Sequence, residues 1–331
     1  MNCPPVGASS HKLSRRQAMS ALAGSALFPW LRIGGAMAAP LSYDLKPEKL
    51  ANGIWVLRGI PEAISITNGG AIANVSIIDT TAGAVIIDTG PSLRYGEALH
   101  MVAKKLTGKD VVRVYLTHFH PDHVFGNQAF DAAIIAAPQG VIDGLKQLGN
   151  SFADAMYRAA GDWMRGTELV LPQHVVTNEP EDFGNRRLRP LLLRGHSASD
   201  LVIFDELSGI LFGGDLVFLD RAPTTPHADI ERWRITLATL GGIPHNLLVP
   251  GHGPAEPGDR GIRQTRDWLE TVEAQIKTAF EKGLDIGEAT ALPMPEWTAK
   301  IALSRYEYER TVMHLYPKLE SSRWPRVDQK T

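Results

Sequence analysis

Along the chain, apolar and polar positions pattern first as strands and then as strands mixed with helices. Residues 53–59 (GIWVLRG), 71–80 (AIANVSIIDT) and 82–90 (AGAVIIDTG) are short aliphatic and β-branched runs bounded by glycine and polar turns, which predicts three strands. Residues 92–106 change period: Leu93, Ala98, Leu99, Val102 and Leu106 recur on one helical face. A buried strand is expected over 111–118 (VVRVYLTH), then a short helix and a strand within 125–138. Residues 139–165 read as a long helix with Gly161 as its weak point.

After a polar turn at 178–185, residues 188–195, 200–206 and 209–220 form a second strand series. Asp229 is placed to cap a helix over 230–240, and NLLVPGHG (246–253) is a last strand entering a glycine-rich loop. Residues 260–282 and 304–320 complete the chain as helices, and no internal repeat or low-complexity tract interrupts the pattern. The expectation is an α/β (α+β) chain.

The first forty residues follow a different logic. A basic stretch, HKLSRR (11–16), precedes the weakly apolar AMSALAGSALFPWL (18–31) and a small-residue site, AMA, before Ala39, which is the layout of a secretory signal. Arg15 and Arg16 after Ser14 resemble a twin-arginine signal, although Ala18 stands where such signals usually carry Phe; the general secretory route and an uncleaved anchor are the alternatives. Residues 1–38 are therefore expected to be cleaved, giving an exported, periplasmic protein with no stable membrane span. Cys3, the only cysteine among 331 residues, would leave with that segment, so neither a disulfide nor a cysteine nucleophile is expected. A formal charge of −2, with no aromatic residues interleaved among basic runs, argues against a nucleic-acid partner and for a small-molecule substrate.

Reactive residues gather at predicted strand ends. LTHFHPDHVFGN (116–127) holds His118, His120, Asp122 and His123 directly after the run VVRVYL; Asp88 follows VII, His196 follows LRPLLLRG, Asp215 ends ILFGGD, and His252 follows LLVPG. Loops leaving a rigid sheet are where sites assemble. A ligand set of imidazoles and carboxylates without thiolates suits a borderline ion such as zinc. In a turn leaving a strand, His118 and His120 can point at one ion while Asp122 and His123 turn towards a second, with Asp215 as the candidate bridge.

HFHPDH has the His-x-His-x-Asp-His form of the metallo-β-lactamase superfamily, and Asp88, His196, Asp215 and His252 follow in that family's order, so the chain resembles it over about residues 50–253. The resemblance implies a four-layer αββα sandwich with the metals at one edge. It assigns His118, His120 and His196 to a first zinc, Asp122, His123 and His252 to a second, Asp215 to the bridge and Asp88 to orienting the site from behind. Asp215 stands where the lactamases tend to carry Cys or Ser, and is more like the glyoxalase II type. The segment SRYEYERTVMHLYPKLE (304–320), the export signal and the length resemble the exported zinc metallohydrolases that accompany quinoprotein dehydrogenases, related to the SoxH proteins.

This reading divides the chain into an export segment (1–38), a metallo-β-lactamase domain (39–256) and a helical extension (257–331). It expects two zinc ions per chain and hydroxide attack on an ester, thioester, lactone or similar acyl substrate, with Asp122 orienting the water or taking its proton. Three other readings stand beside it: an iron-dependent sulfur oxidoreductase or dioxygenase, a class B β-lactamase, and a non-enzymatic periplasmic metal-binding accessory. Taken one at a time, His196, Asp215, His252 and Asp88 could be turn or cap residues. His227 in DRAPTTPHAD is the candidate at the substrate rim, while Tyr306, Tyr308, Tyr316 and Trp324 read as packing residues. Substrate identity and oligomeric state are open.

Overall fold

The computed structural model describes residues 41–323 of the chain. The expectations placed on the export segment, on Cys3 and on Trp324 lie outside the described residues. Two sheets form the body. The first runs in order β1 (Pro47–Ala51), β2 (Ile54–Leu57), β3 (Val75–Asp79), β4 (Ala84–Ile87), β5 (Val111–Tyr115), β6 (Ile135–Ala137) and β7 (His174–Val175). The second runs β12 (Leu247–His252), β11 (Ile210–Phe218), β10 (Asp200–Asp205), β9 (Arg187–Leu193) and β8 (Glu181–Asp182).

The two-residue period of the strands builds the layers. On β2 and β4, Ile54, Val56, Val85 and Ile87 point inward to meet Leu188, Leu201, Ile203, Phe212 and Val249 of the second sheet. Leu57 and Ile86 point the other way, onto α1 (Leu93–Thr107) and α3 (Gln139–Ala160) through Leu99, Val141 and Leu145. The outer face of the second sheet is covered by α4 (Ile230–Gly241), α5 (Arg260–Glu281), α6 (Ile286–Ala291) and α7 (Ser304–Arg323), with Trp233, Trp268, Leu269, Tyr308 and Val312 in one apolar cluster with Leu211 and Val217. Helix, sheet, sheet, helix is the αββα order expected. A short helix, α2 (Pro121–Val124), follows β5.

Helix ends follow local chemistry. Ser92 caps α1 by accepting the Tyr95 N–H, and Asp229 caps α4 by accepting the Arg232 N–H. The helix expected over 139–165 stops at Ala160, because Gly161 takes φ 59° and turns the chain into a 3₁₀ segment, Gly161–Met164. Three strands escaped the apolar pattern, among them β7, an edge strand of two residues paired with β6. β1 is an edge strand whose first three residues are exposed, and β8 lies inside the expected polar turn at 178–185, held by two pairings to β9. Edge strands with so little buried surface carry no alternation to read.

One edge of the sandwich is stitched across. Asn74, just before β3, donates its backbone N–H to the Gly251 carbonyl and its side-chain amide to the carbonyls of Pro250 and Gly253; Leu201 of β10 donates to the Thr117 carbonyl. The reactive residues sit at this edge. Among the described residues, no helix is long and apolar enough to cross a membrane.

Candidate metal centre

The chain leaves β5 at Tyr115, and Thr117 and His118 follow before α2 begins. His120 precedes Pro121, which supplies the fixed φ suited to a first helical position, and the turn closes with the His123 N–H on the His120 carbonyl, 3.1 Å. His118 and His120 thus project from the extended segment, while Asp122 and His123 project from the first turn of a helix. His196 follows β9 and His252 is the last residue of β12. Asp215 differs from expectation. It lies inside the nine-residue β11 rather than at its end, next to a register irregularity at Gly214, whose φ of 51° lets the strand turn a carboxylate into the site. All seven are buried, none more than 7% exposed.

Their donor atoms form two groups, His118, His120, His196 and Asp215 in one and Asp122, His123 and His252 in the other, with the atoms of each group within 4.8 Å of one another. Asp215 reaches into both. Its Oδ2 is 3.7 Å from His118 Nε2, 3.4 Å from His196 Nε2 and 3.3 Å from His252 Nε2, and its Oδ1 is 3.2 Å from His123 Nε2. Asp122 Oδ2 lies 3.4 Å from His252 Nε2 and 3.6 Å from His123 Nε2. A tetrahedral ion with ligands at about 2.0–2.1 Å separates them by roughly 3.3–3.4 Å, so these spacings are those of donors sharing an ion. His118 Nε2, His123 Nε2 and Asp215 Oδ1 are buried without a hydrogen-bond partner, a condition a folded protein tolerates poorly unless a cation fills it.

The far nitrogens tell the same story. His118 Nδ1 is 3.0 Å from Thr117 Oγ1, His123 Nδ1 is 2.8 Å from Asp88 Oδ2, His252 Nδ1 is 2.9 Å from the Ile72 carbonyl, and His120 Nε2 is 2.8 Å from His227 Nδ1. Each ring is anchored through one nitrogen and aims the other at the cluster, as metal-ligating histidines require. His196 has no such partner and is instead held by its ring against Trp233, centroids 5.0 Å apart. Asp88, at φ 63°, accepts the Thr117 N–H and hydroxyl at 2.8 Å each as well as facing His123, so one carboxylate fixes both ends of the motif.

Burial holds His118 and His120 well below the usual imidazole range and pushes His196 down to about 3. Burial would lower His123 too, but Asp215, Asp122 and Asp88 together raise it well above that range. For Asp215, burial is outweighed by His252, His123 and His118, which hold it well below the carboxylate range. Neutral His118, His120 and His196 beside an ionised Asp215 are in the forms that ligate a cation.

A cavity of about 480 Å³ opens over the cluster, with His120, Asp122, Asp215 and His252 on its floor. His227 lines it, as does Tyr306, which is 45% exposed, while Tyr308 and Tyr316 are buried. Sequence reading missed Arg221, Phe152, Met156, Arg310 and His314, which also line it. The only signal for the last was a helical one, Tyr306, Arg310 and His314 falling four residues apart.

An αββα sandwich carrying two His/Asp donor sets at one sheet edge is the architecture of a binuclear metallohydrolase. Residues 68–252 match the family model of the metallo-β-lactamase superfamily, and the chain belongs to that superfamily, as a metal-dependent hydrolase. Over 72% of its length it is 23% identical to the linear primary-alkylsulfatase of Pseudomonas sp. (strain ATCC 19151), spanning 53% of that protein. Over 65% it is 25% identical to the type 2 metallo-β-lactamase of Bacillus cereus, spanning 78%. A metallo-β-lactamase structure from Pontibacter korlensis superposes with a TM-score of 0.55 at 21% identity, covering 68% of this chain and 99% of the other.

Gly251 tests the packing behind the bridge. A Cβ there would lie 1.9 Å from Asp215 Oδ1, so Gly251→Ala must push the carboxylate out of place. The expected outcome is a folded protein with bound metal reduced, on the order of tenfold in affinity, as for loss of an outer partner. Unchanged metal titration would show that Asp215 does not need its present position.

Proposed function

We propose that the protein is an exported binuclear zinc hydrolase of acyl compounds: esters, thioesters, lactones or their relatives. His118, His120 and His196 would hold one ion and Asp122, His123 and His252 the other, with the Asp215 carboxylate within reach of both sets. The observation that supports this most directly is the carboxylate of Asp215 lying 3.2–3.7 Å from histidine nitrogens of both sets. Two divalent ions there would supply Lewis acidity, bringing a water's pKa towards neutrality and polarising the scissile carbonyl.

The protein's own part is positioning. Among the described residues the cavity lining holds no serine or cysteine, and its one threonine, Thr224, spends its hydroxyl on Arg221 and Glu307, so water is the nucleophile this lining favours. Asp122, on the cavity floor, is placed to orient that water and take its proton. Asp88 keeps His123 in one tautomer, and His227 does the same for His120 through their 2.8 Å contact. The export layout at 11–39 and the resemblance of residues 304–320 support a periplasmic place among the SoxH-related metallohydrolases, beside a quinoprotein dehydrogenase. The same reading keeps the division into an export segment (1–38), a catalytic domain (39–256) and an extension (257–331).

Metal analysis of the purified mature protein should find about two divalent ions per chain, predominantly zinc, and Asp215→Ala should lower this towards one while circular dichroism stays native. The same stoichiometry in both proteins would remove Asp215 from between the ions.

Substrate class follows from the same carboxylate. Asp215 adds negative charge to the donor set and would weaken the pull of ions held there on a poor leaving group such as an amide nitrogen. Thioester hydrolysis should exceed penicillin or cephalosporin hydrolysis by roughly a hundredfold in kcat/KM, about 2.7 kcal/mol. An alkyl sulfate, the class named for the Pseudomonas relative, belongs in the panel. Comparable rates on β-lactams would defeat the leaving-group reasoning, and turnover of none of these would defeat the hydrolase reading.

For export, replacing Arg15 and Arg16 together by lysine should hold the full-length precursor in the cytoplasm on fractionation. Normal secretion of that variant would point to the general route.

A further inference from the structure

The cavity over the donor cluster has two unlike walls. On one side α3 presents Phe152, Ala155, Met156 and Ala159, spaced i, i+3, i+4 and i+7 as a single helical stripe, and Ile64 and Ile72 line the cavity with them. This surface carries no charge. Ala155 and Ala159 are small where the buried face earlier in α3 uses Val141, Ile142 and Leu145, and their size leaves the wall open.

On the other side α7 presents Tyr306, Glu307, Arg310 and His314, with Arg221 beneath them. Glu307 is fully buried and already engaged, 3.1 Å from the Arg221 guanidinium and 3.0 Å from that of Arg310. Arg221 is 3% exposed and otherwise donates to the Ala222 carbonyl and the Thr224 hydroxyl, while its Nε is buried without a partner. Two guanidinium groups thus face one carboxylate, and the surplus charge falls on Arg310, whose side chain is 36% exposed. The other acids on the lining, Asp122 and Asp215, belong to the donor set on the floor.

We propose that this cleft takes an anionic amphiphile, a substrate whose unbranched apolar chain lies along α3 and whose negative group, close to the scissile bond, docks on Arg310 of α7. The scissile bond itself rests on the hydrolase reading above. A chain on the α3 stripe gains from every methylene removed from water, whereas an anion on a partly desolvated guanidinium gains a charge-assisted, directional bond. Neither wall alone explains the other: an apolar substrate would leave the second positive charge of the Arg221–Glu307–Arg310 group without a counter-charge, and a small anion would leave the α3 wall wet.

The test uses linear alkanesulfonates of six to ten carbons, whose carbon–sulfur bond resists hydrolysis, titrated calorimetrically into the metal-loaded mature protein below their micellar concentrations. Affinity should rise about threefold or more per methylene, and decyltrimethylammonium should bind far more weakly than decanesulfonate. Arg310→Gln should weaken all chain lengths alike, on the order of tenfold, and Arg310→Lys should recover part of the loss. Ala155→Phe should weaken the ten-carbon probe more than the six-carbon one. Metal content and melting temperature of each variant establish that it is folded; if Arg310→Gln is not, Ala155→Phe and the cationic probe still decide. Affinity independent of chain length, equal binding of the cationic probe, or an unchanged Arg310→Gln would each overturn the proposal. Since the probes are not turned over, tight, chain-dependent binding with no turnover of any acyl compound or alkyl sulfate would sink the hydrolase reading and leave the binding of the amphiphile standing.

Discussion

Three carboxylates buried around one imidazole are the constraint on which this edge of the molecule depends. Asp88, Asp122 and Asp215 are each at most 6% exposed, and all have an oxygen within 3.6 Å of a His123 ring nitrogen. Burying carboxylates without compensating charge costs several kcal/mol apiece, and a protonated His123 can balance only one. The remaining charge demands cations from outside the chain, and His118, His120 and His196, held neutral by burial, supply lone pairs to hold them. The protein has placed its charges for a ligand rather than for itself.

Backbone specialisation follows from that demand. Asp88 holds a left-handed conformation in order to reach Thr117 and His123 together, and Gly214 does so to bring Asp215 inward from mid-strand. Gly251 lies against that carboxylate with no room for a side chain, and its carbonyl accepts from Asn74, which ties the two sheets together. The strain at Asp88 persists only where surrounding contacts over-determine it, and here its own bonds to Thr117 and His123 provide them, beside the cross-sheet stitching through Asn74.

What the sequence made legible was local. His118, His120, Asp122 and His123 sit within six residues, and strands such as β2 and β4 read as unbroken apolar runs, the mark of strands covered on both faces. His196 and His252 could be placed by rule, since a polar residue after an apolar run marks a strand end. Asp215 obeyed another rule, because a glycine pair had already broken the ladder before it. The walls of the cleft were hidden for a different reason: Phe152 and Arg310 are far apart in sequence and meet only through tertiary packing, and neither residue type is unusual for an exposed helix. β8 was hidden because two paired residues leave no pattern at all.

The C-terminal helices are part of the site rather than an appendage to it. Residues 219–228, which carry Arg221 and His227, follow β11 without helix or extended strand, so their polar groups need partners from elsewhere. Those partners come from the end of the chain. The Ala222 N–H bonds to the Ala302 carbonyl, the Ala302 N–H to the Asp220 carbonyl, Thr225 to Thr311, and Arg221 to Glu307. Tyr308 and Val312 of α7 then join the apolar cluster formed by α4, α5 and the second sheet. A segment held this way from one side can press His227 against His120 on the other, so the ring orientation of a candidate ligand depends on a helix that begins nearly two hundred residues later.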